Sequence, residues 1–351
     1  MSTSLDVLHV NFAKGFRGGE RQTLNLMLGL LSKGMSQALV CRRGSELALR
    51  AKAEGLTIVP VSHPLSGHLS VPPARLIHVH EARGGYWAGI ETLLRKTPYL
   101  ITRRIPNPVS TNAVTLALYR HAGAVVAVSA NVANGLKQLA YRKPAIILDG
   151  CMPLPVNDQL SAKIRQRCGH GPIIGHVGAL QDHHKGQSVL IAAFQKLVKT
   201  TPHARLLLIG NGPDFSRFKQ LANDDPAIIF AGFQEDVGSW LAAMDLFVFP
   251  SREEGLGSSV LDAMLLGIPV IAAKIGGLPE LIGNDARGWL VEGHEPAIWC
   301  KKIVQVLSDP SQQKLRAEEA LKFAIANNIE AMASAYLKYY SQILNPLSAS
   351  I

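Results

Sequence analysis

The segment "SREEGLGSSVLDAMLLGIPVIAA", residues 251–273, indicates the fold of this chain more directly than any other. An apolar run, LFVFP, precedes it, and the segment closes on a second apolar run, PVIAA. A loop with two glutamates and two glycines, followed by a helical stretch, lies between the two runs. Apolar runs that alternate with helical stretches predict the strands of a parallel α/β sheet.

The loop in this segment suits the binding of a phosphorylated sugar. Gly255 and Gly257 permit positive φ and a close approach of the backbone to a ligand. We expect Ser258 to cap the following helix, whose first N–H groups and dipole favour an anion. Glu254 and Asp262 are poor phosphate ligands, but their oxygens accept hydrogen bonds from sugar or ribose hydroxyls. The alternative is an ordinary capped helix with solvated acids.

Two further loops follow strands in the second half of the chain. The stretch AKIGGLPELI, residues 273–282, again places paired glycines before a helix start. The stretch GALQDHHKGQSVLIAAF, residues 178–194, presents Lys185, a mobile point charge suited to a diphosphate leaving group. For His183 and His184 in the same loop, the simpler interpretation is solvated loop residues.

The first half has its own glycine-rich loop, GFRGG at residues 15–19. Its spacing is not the G-x-G-x-x-G of dinucleotide-binding proteins, and the next strand ends in Arg42 and Arg43 rather than in the acid that NAD ribose needs. An NADP oxidoreductase remains an alternative through those arginines, although the loop spacing argues against it. We expect Gly18 and Gly19 to let a ligand approach the backbone.

Polar residues also follow two other strands of the first half. His80, Glu81 and Arg83 lie at one strand end, and Arg103 and Arg104 at the next. We favour a functional role for His80 and leave Glu81 open between binding and structure. The tandem arginines suit a phosphate or carboxylate on an acceptor, with a soluble basic surface as the alternative.

The alternation of strands and helices extends over all 351 residues. Seven β-branched runs precede the proline-bearing segment CMPLPVND at 151–158, and six follow it. We therefore predict two α/β domains, residues 1–153 joined by a C-terminal helix at 331–351, and residues 154–330. Two such sheets are expected to face each other across a cleft, with ligands at the carboxyl ends of the strands.

Charge is distributed unevenly between the two halves. Residues 1–150 hold 18 Lys and Arg against 7 Asp and Glu, whereas residues 151–351 hold 18 against 19. A basic first half favours an anionic partner such as a phospholipid surface or a phosphorylated glycan, or is simply a soluble basic surface. Nucleic acid is the weakest of these options, because no basic run is interleaved with aromatics.

Other classes of protein are excluded by composition. No apolar run reaches the length of a membrane span, and the start, MSTSLDVLHVNF, is expected to form a strand rather than a signal peptide. Four scattered cysteines have no metal-ligand spacing and favour buried thiols in a reducing cytoplasm.

Taken in order, these motifs resemble the retaining glycosyltransferases of family 4, often called glycosyl transferases group 1. The resemblance spans nearly the whole chain and implies a GT-B fold of two Rossmann-like parallel-sheet domains facing across a cleft. The motifs that carry it are RGGERQTL, HVHEARGG, AVSANVANGL, ILDGCM, HHKGQSVLIAAF, LLLIGNGP, FPSREEGLGSSVLDAM and GIPVIAAKIGGLPELI.

The resemblance implies a nucleotide-diphosphosugar donor held mainly by the second domain. The E-x7-E pattern of the family falls on Glu254, near the donor sugar, and on Asp262, which would hold the ribose hydroxyls. The backbone of 255–258, which comprises Gly255, Leu256, Gly257 and Ser258, would line the diphosphate, with Lys185 as its cation. His80 would contact the transferred sugar near its 6-hydroxyl, and Gly18 and Gly19 would approach the phosphates.

The resemblance further implies transfer with retention of configuration, without a metal ion or other cofactor, to a glycan or lipid-linked acceptor held by the first domain. Together with the basic first half, it indicates lipopolysaccharide or other cell-surface polysaccharide synthesis, in the cytoplasm with peripheral contact at the inner face of the membrane. Two departures stand out, since Asp262 replaces the usual Glu and Ala179 replaces an Arg of the family. They leave open a non-catalytic nucleotide-sugar-binding subunit, and a sugar-nucleotide epimerase on the same fold is a further alternative.

Overall fold

Each half of the chain forms one parallel β-sheet covered by helices. The computed structural model describes residues 4–345. The chain divides into two units: unit 1 runs to Gly150 and resumes at Asn327, and unit 2 spans Cys151–Ala326. Of the predicted C-terminal helix at 331–351, residues 346–351 lie outside the described residues.

The elements of unit 1 before the crossing to unit 2 are β1 (Leu5–Asn11), α1 (Gly18–Leu31), β2 (Gln37–Arg42), α2 (Glu46–Ala53), β3 (Thr57–Val61), β4 (Ala74–Val79), α3 (Ala82–Arg95), β5 (Tyr99–Arg103), α4 (Ala113–His121), β6 (Ala124–Ala127), α5 (Ala130–Leu136) and β7 (Ala145–Ile146). Those of unit 2 are α6 (Asp158–Cys168), β8 (Ile173–Val177), α7 (Asp182–Lys185), α8 (Gln187–Leu197), β9 (Arg205–Ile209), α9 (Phe215–Ala222), β10 (Ile228–Gly232), α10 (Val237–Ala242), β11 (Leu246–Phe249), α11 (Ser258–Leu265), β12 (Val270–Ala273), α12 (Leu278–Ile282), β13 (Trp289–Val291), α13 (Pro296–Leu307) and α14 (Pro310–Ala326). The last helix, α15 (Ile329–Leu344), returns to unit 1.

The two sheets have the same winding. Unit 1 orders its strands β3-β2-β1-β4-β5-β6-β7, and unit 2 orders them β10-β9-β8-β11-β12-β13. All the pairings are parallel, which confirms the predicted α/β class. The strand order reverses between β1 and β4 in unit 1 and between β8 and β11 in unit 2. Open α/β sheets bind ligands at the carboxyl ends of the strands that flank such a reversal.

Helix α15 completes the core of unit 1. Its buried residues Met332, Tyr336 and Tyr340 pack with Leu26 and Leu30 of α1. Apolar burial of this kind contributes roughly 1.5–3 kcal/mol for each large side chain. The C-terminal helix therefore belongs to the same hydrophobic core as α1.

The described part of the chain has no helix with both the length and the apolar character that crossing a bilayer requires.

Candidate functional site

Three loops of unit 2 meet at the carboxyl ends of β8, β11 and β12, which are neighbours in the sheet. Gly186 has a φ of +65°, and a Cβ built on it would lie 2.2 Å from the carbonyl oxygen of Pro250. Gly276 has a φ of +56°, and a Cβ there would lie 2.0 Å from the carbonyl oxygen of Glu254. Only glycine fits these contacts, so the three loops are held together backbone against backbone.

Lys185 and Glu254 form an ion pair where these loops meet. The Lys185 ammonium donates to Oε2 of Glu254 at 2.5 Å, and 23% and 15% of the two side chains remain exposed. The ammonium also lies 5.1 Å from the centre of the Phe249 ring. The structure therefore brings the two predicted residues together, at the point where the strand order reverses.

The segment around Lys185 is not the irregular polar loop that the sequence suggested. It forms the short helix α7, followed by the left-handed Gly186. Asp182 at its start is buried and accepts hydrogen bonds from the N–H and hydroxyl of Ser188, both at 2.8 Å. Sequence reasoning missed Asp182, because its partner Ser188 lies in the next helix, beyond the turn at Gly186.

The start of α11 differs by one residue from the prediction. Gly257, with a φ of +104°, is the N-cap, and Ser258 is already the first helical residue. A Cβ at Gly257 would lie 2.7 Å from the Leu278 side chain. The prediction that Ser258 caps this helix is therefore wrong, because the left-handed glycine ends the loop one position earlier. Asp262 lies buried further along α11.

Two of the remaining predicted donor residues are buried in this loop. Gly255 is buried, and Leu256 packs into the apolar interior. Only their backbone is therefore suited to contact a ligand.

His176 in β8 is a buried residue of this region that sequence reasoning did not select. Its Nδ1 donates to the carbonyl of Val248 at 3.0 Å, so its Nε2 accepts from the amide of Gln187 at 3.3 Å. Burial lowers the pKa of His176 to about 4, against the raising effect of the Val248 bond. The same Gln187 amide donates to the carbonyl of Ala179 at 2.7 Å. A neutral histidine thus joins β8, β11 and α8.

In unit 1, the glycine-rich loop leads directly into α1. Arg17 is the N-cap, and its N–H donates to Oε2 of Glu20 at 2.8 Å. Gly18 and Gly19 form the first helical positions. A Cβ built on Gly19 would have none of the described atoms within 4 Å. Packing therefore does not require a glycine at this position.

His80 follows β4 and belongs to a buried chain of hydrogen bonds. Arg104 lies 3.1 Å from its Nδ1, and its Nε2 lies 2.9 Å from Nδ1 of His9. The chain ends at the amide oxygen of Gln37, 3.1 Å from Nε2 of His9. A guanidinium only donates, so every bond runs from Arg104 through His80 and His9 to Gln37. Burial lowers the pKa of His9 to about 3 and that of His80 well below its ordinary value.

A third histidine, His78, lies beside this chain, and the three rings form a potential ligand set with nitrogens within 4.8 Å of one another. His78 is bonded to the hydroxyls of Tyr340 and Thr102, both at 2.7 Å. A metal ion bound to His78 would have to replace these hydrogen bonds. It would also lie close to the positively charged Arg104 guanidinium, which donates to His80. The arrangement fits a neutral hydrogen-bonded network better than a cation site.

The two predicted residues that follow His80 have different surroundings. Glu81 is the N-cap of α3 and accepts from the N–H groups of Arg83 at 2.8 Å and Gly84 at 2.7 Å. Burial raises its pKa, and these backbone bonds oppose the rise. Glu81 therefore has a structural role, whereas the Arg83 side chain is exposed.

The two tandem arginines have different hydrogen-bond partners. Arg103 donates to the carbonyls of Ile105 at 3.2 Å and Asn107 at 2.7 Å, and so orders its own loop. The Arg104 side chain is only 7% exposed and pairs with Asp149 at 3.1 Å. Its Nη2 is buried and lacks a hydrogen-bond partner among the described residues. The structure thus does not present the two arginines as one anion-binding pair.

Comparison with known proteins identifies glycosyltransferases as relatives of this chain. The model of the family glycosyl transferases group 1 matches residues 171–309, within unit 2. The D-inositol 3-phosphate glycosyltransferase of Corynebacterium efficiens is 30% identical over 202 residues, which are 54% of this chain and 47% of that protein. The chain thus spans about half the length of this relative. The lipopolysaccharide core biosynthesis glycosyltransferase LpsE of Rhizobium meliloti is 24% identical over 95% of this chain and 98% of its own.

Solved structures show the same fold over nearly the whole chain. Anabaena HepE in complex with UDP and glucose superposes with a TM-score of 0.82 at 20% identity, covering 96% of this chain and 99% of its own. Its complex with UDP-glucose gives 0.83 at 18% identity, with coverage of 96% and 100%. Residues 171–309 thus match the glycosyl transferases group 1 model, in a chain with the GT-B fold.

Proposed function

We propose that this protein is a glycosyltransferase that moves a sugar from a nucleotide-diphosphosugar to a glycan or lipid-linked acceptor. The observation that carries the proposal is the Lys185–Glu254 pair, placed by α7 and the β11 loop at the strand-order reversal of the group 1 domain. UDP-bound Anabaena HepE, which shares the fold, supports a nucleotide-sugar donor. We assign the donor mainly to unit 2 and the acceptor to unit 1.

The proposed mechanism depends on the charge that develops on the leaving group. When the bond to the anomeric carbon breaks, negative charge develops on the diphosphate, and preorganised positive groups stabilise it. Lys185 and the N-terminal turn of α11 at Ser258 would supply this potential without a metal ion or other cofactor. Glu254 would accept from sugar hydroxyls and Asp262 from ribose hydroxyls. The acceptor hydroxyl would attack from the face that the leaving group occupies, with retention of configuration, and the leaving phosphate would take its proton.

His80 remains our proposed contact for the transferred sugar, and Gly18 and Gly19 our proposed contacts for the phosphates. Both ring nitrogens of His80 are already bonded, so a sugar hydroxyl must replace one partner. The bond to the neutral His9 is the weaker of the two, because the bond from Arg104 is charge-assisted. We therefore expect the exchange at Nε2.

The acceptor class rests on relatives and on charge. Full-length similarity to LpsE supports a lipopolysaccharide-type acceptor. Peripheral contact with an anionic membrane surface is supported by exposed leucines in the basic unit. Leu93 on α3 is 86% exposed, and Leu69 in the adjacent loop is 99% exposed. Arg95 joins the two elements by donating to the carbonyl of His68 at 2.7 Å. Sedimentation with vesicles containing phosphatidylserine tests this contact, and it would be refuted by equal recovery with and without vesicles.

A thermal-shift screen against UDP-, GDP- and ADP-sugars tests the proposal. One nucleotide class should raise the melting temperature, because binding to the native state alone stabilises it by mass action. Release of nucleoside diphosphate from that donor should follow. Stabilisation without release or transfer would favour the non-catalytic binding subunit, which the Ala179 and Asp262 departures support. No stabilisation by any donor would refute both readings.

A further inference from the structure

We infer that Glu254 is an exchangeable counter-ion: it neutralises Lys185 in the empty site, yields it to the diphosphate, and takes it back when the product leaves. The inference rests on the proposed function, since it concerns the same lysine. It assigns to Glu254 a role separate from any contact with sugar hydroxyls.

Lys185 is already paired. Its ammonium and the Glu254 carboxylate are in direct contact, and neither side chain is more than a quarter exposed. The aromatic face of Phe249 lies on another side of the ammonium. A lysine carries a single compact charge on a flexible stem, so a diphosphate and the carboxylate compete for it.

The diphosphate and the Glu254 carboxylate are both anions. A diphosphate bound at Lys185 would lie close to a carboxylate in a partly desolvated site, where like charges repel more strongly than in water. The repulsion and the lost ion pair both weaken the hold on free nucleoside diphosphate. Donor with its sugar attached can regain this loss through sugar hydroxyls that hydrogen-bond to Glu254. Glu254 thus promotes dissociation of the nucleoside diphosphate product more than dissociation of the nucleotide-sugar donor.

The loop provides a matched control one residue away. Glu253 pairs with Nδ1 of His184 at 2.9 Å and is more exposed than Glu254. Replacing Glu253 removes the same formal charge from the same loop without releasing Lys185.

The experiment is titration calorimetry of UDP, GDP and ADP with the wild type, Glu254→Gln, Glu253→Gln and Lys185→Ala. For the nucleotide that binds the wild type, we expect Glu254→Gln to bind about threefold to tenfold more tightly, as befits a partly screened ion pair. Glu253→Gln should stay within about twofold, and Lys185→Ala should bind more weakly. Thermal unfolding of each variant shows whether it is folded.

The sugar-bearing donor separates the two roles of Glu254. If Glu254 only accepts from sugar hydroxyls, Glu254→Gln would leave the affinity for the nucleoside diphosphate unchanged and weaken only that for the nucleotide-sugar. That result, in a wild type that binds the diphosphate, overturns the counter-ion and leaves the proposed function standing. A wild type that binds no nucleoside diphosphate overturns both.

Discussion

The two strand-order reversals have the same topology but opposite electrostatic character. In unit 2 the reversal carries a partly exposed ion pair, Lys185 with Glu254. In unit 1 it carries buried neutral rings, His9 and His80, linked to Arg104. We propose that the pair in unit 2 exchanges its partner, whereas in unit 1 only the His9–His80 bond is proposed to open and the charge-assisted bond from Arg104 is kept. The same sheet winding thus carries a partly exposed ion pair in one unit and a buried polar network in the other.

Lowering the pH should destabilise unit 1 more than unit 2, and this is the largest difference that we expect between the units. His9, His78 and His80 in unit 1 and His176 in unit 2 all have pKa values lowered by burial, to about 3 for His9 and about 4 for His176. Unfolded histidine takes up a proton below about pH 6.5, so this stability is complete above that pH and falls toward the folded-state values. Below that pH, each histidine lowers the free energy of unfolding by up to about 1.4 kcal/mol per pH unit. The three histidines of unit 1 together give roughly 4 kcal/mol per pH unit, against about 1.4 kcal/mol for the single histidine of unit 2.

Hydrogen exchange at pH 7 and pH 5, corrected for intrinsic rates, measures this difference. Amides of β1 and β4 should lose more protection than those of β8 and β9. Equal losses in the two sheets would show that the histidine network does not control the acid stability of unit 1.

Loss of the lysine should have the next largest effect. Lys185→Ala should lower turnover at least about a hundredfold, because one preorganised contact to the leaving group disappears. Lys322→Ala is the matched control, since this lysine pairs with Glu319 on the surface of α14. Steady-state kinetics on the identified donor give the answer, and near-normal turnover of Lys185→Ala would remove the lysine from the mechanism.

Two glycines of α1 distinguish folding from function within unit 1. A Cβ at Gly29 would lie 2.5 Å from the carbonyl oxygen of Ile329, so Gly29→Ala should cost about 1–3 kcal/mol of unfolding free energy. Gly19→Ala meets open space and should leave stability equal or higher. If Gly19 approaches the phosphates, donor affinity should nevertheless fall. Denaturant unfolding and donor titration of both variants provide the measurements, and an unchanged donor affinity in Gly19→Ala would contradict the contact.

Asp262→Ala should have a smaller and more selective effect. Loss of a hydrogen bond to a ribose hydroxyl should weaken nucleotide binding by about tenfold with little change in turnover at saturation. Calorimetry with the nucleoside diphosphate tests this, and unchanged affinity would place Asp262 outside the site.

The sequence predicted the sheets better than it predicted the polar networks. Periodicity and β-branched runs located the strands, and glycine-bearing loops after them located Lys185 and Glu254. His9 and His176 were not selected because a histidine within an apolar run is usually a core residue. Their partners also lie on or after strands that are adjacent only in the folded sheet. The capping role of Gly257 was missed because a serine at the next position is an equally good signal.

The most direct test is a crystal structure of this protein with the nucleoside diphosphate that binds it. We expect the diphosphate to lie within hydrogen-bond distance of the Lys185 ammonium and of the backbone at 255–258, with the Glu254 carboxylate moved away from the lysine. A diphosphate bound elsewhere, with the Lys185–Glu254 pair intact, would contradict this expectation.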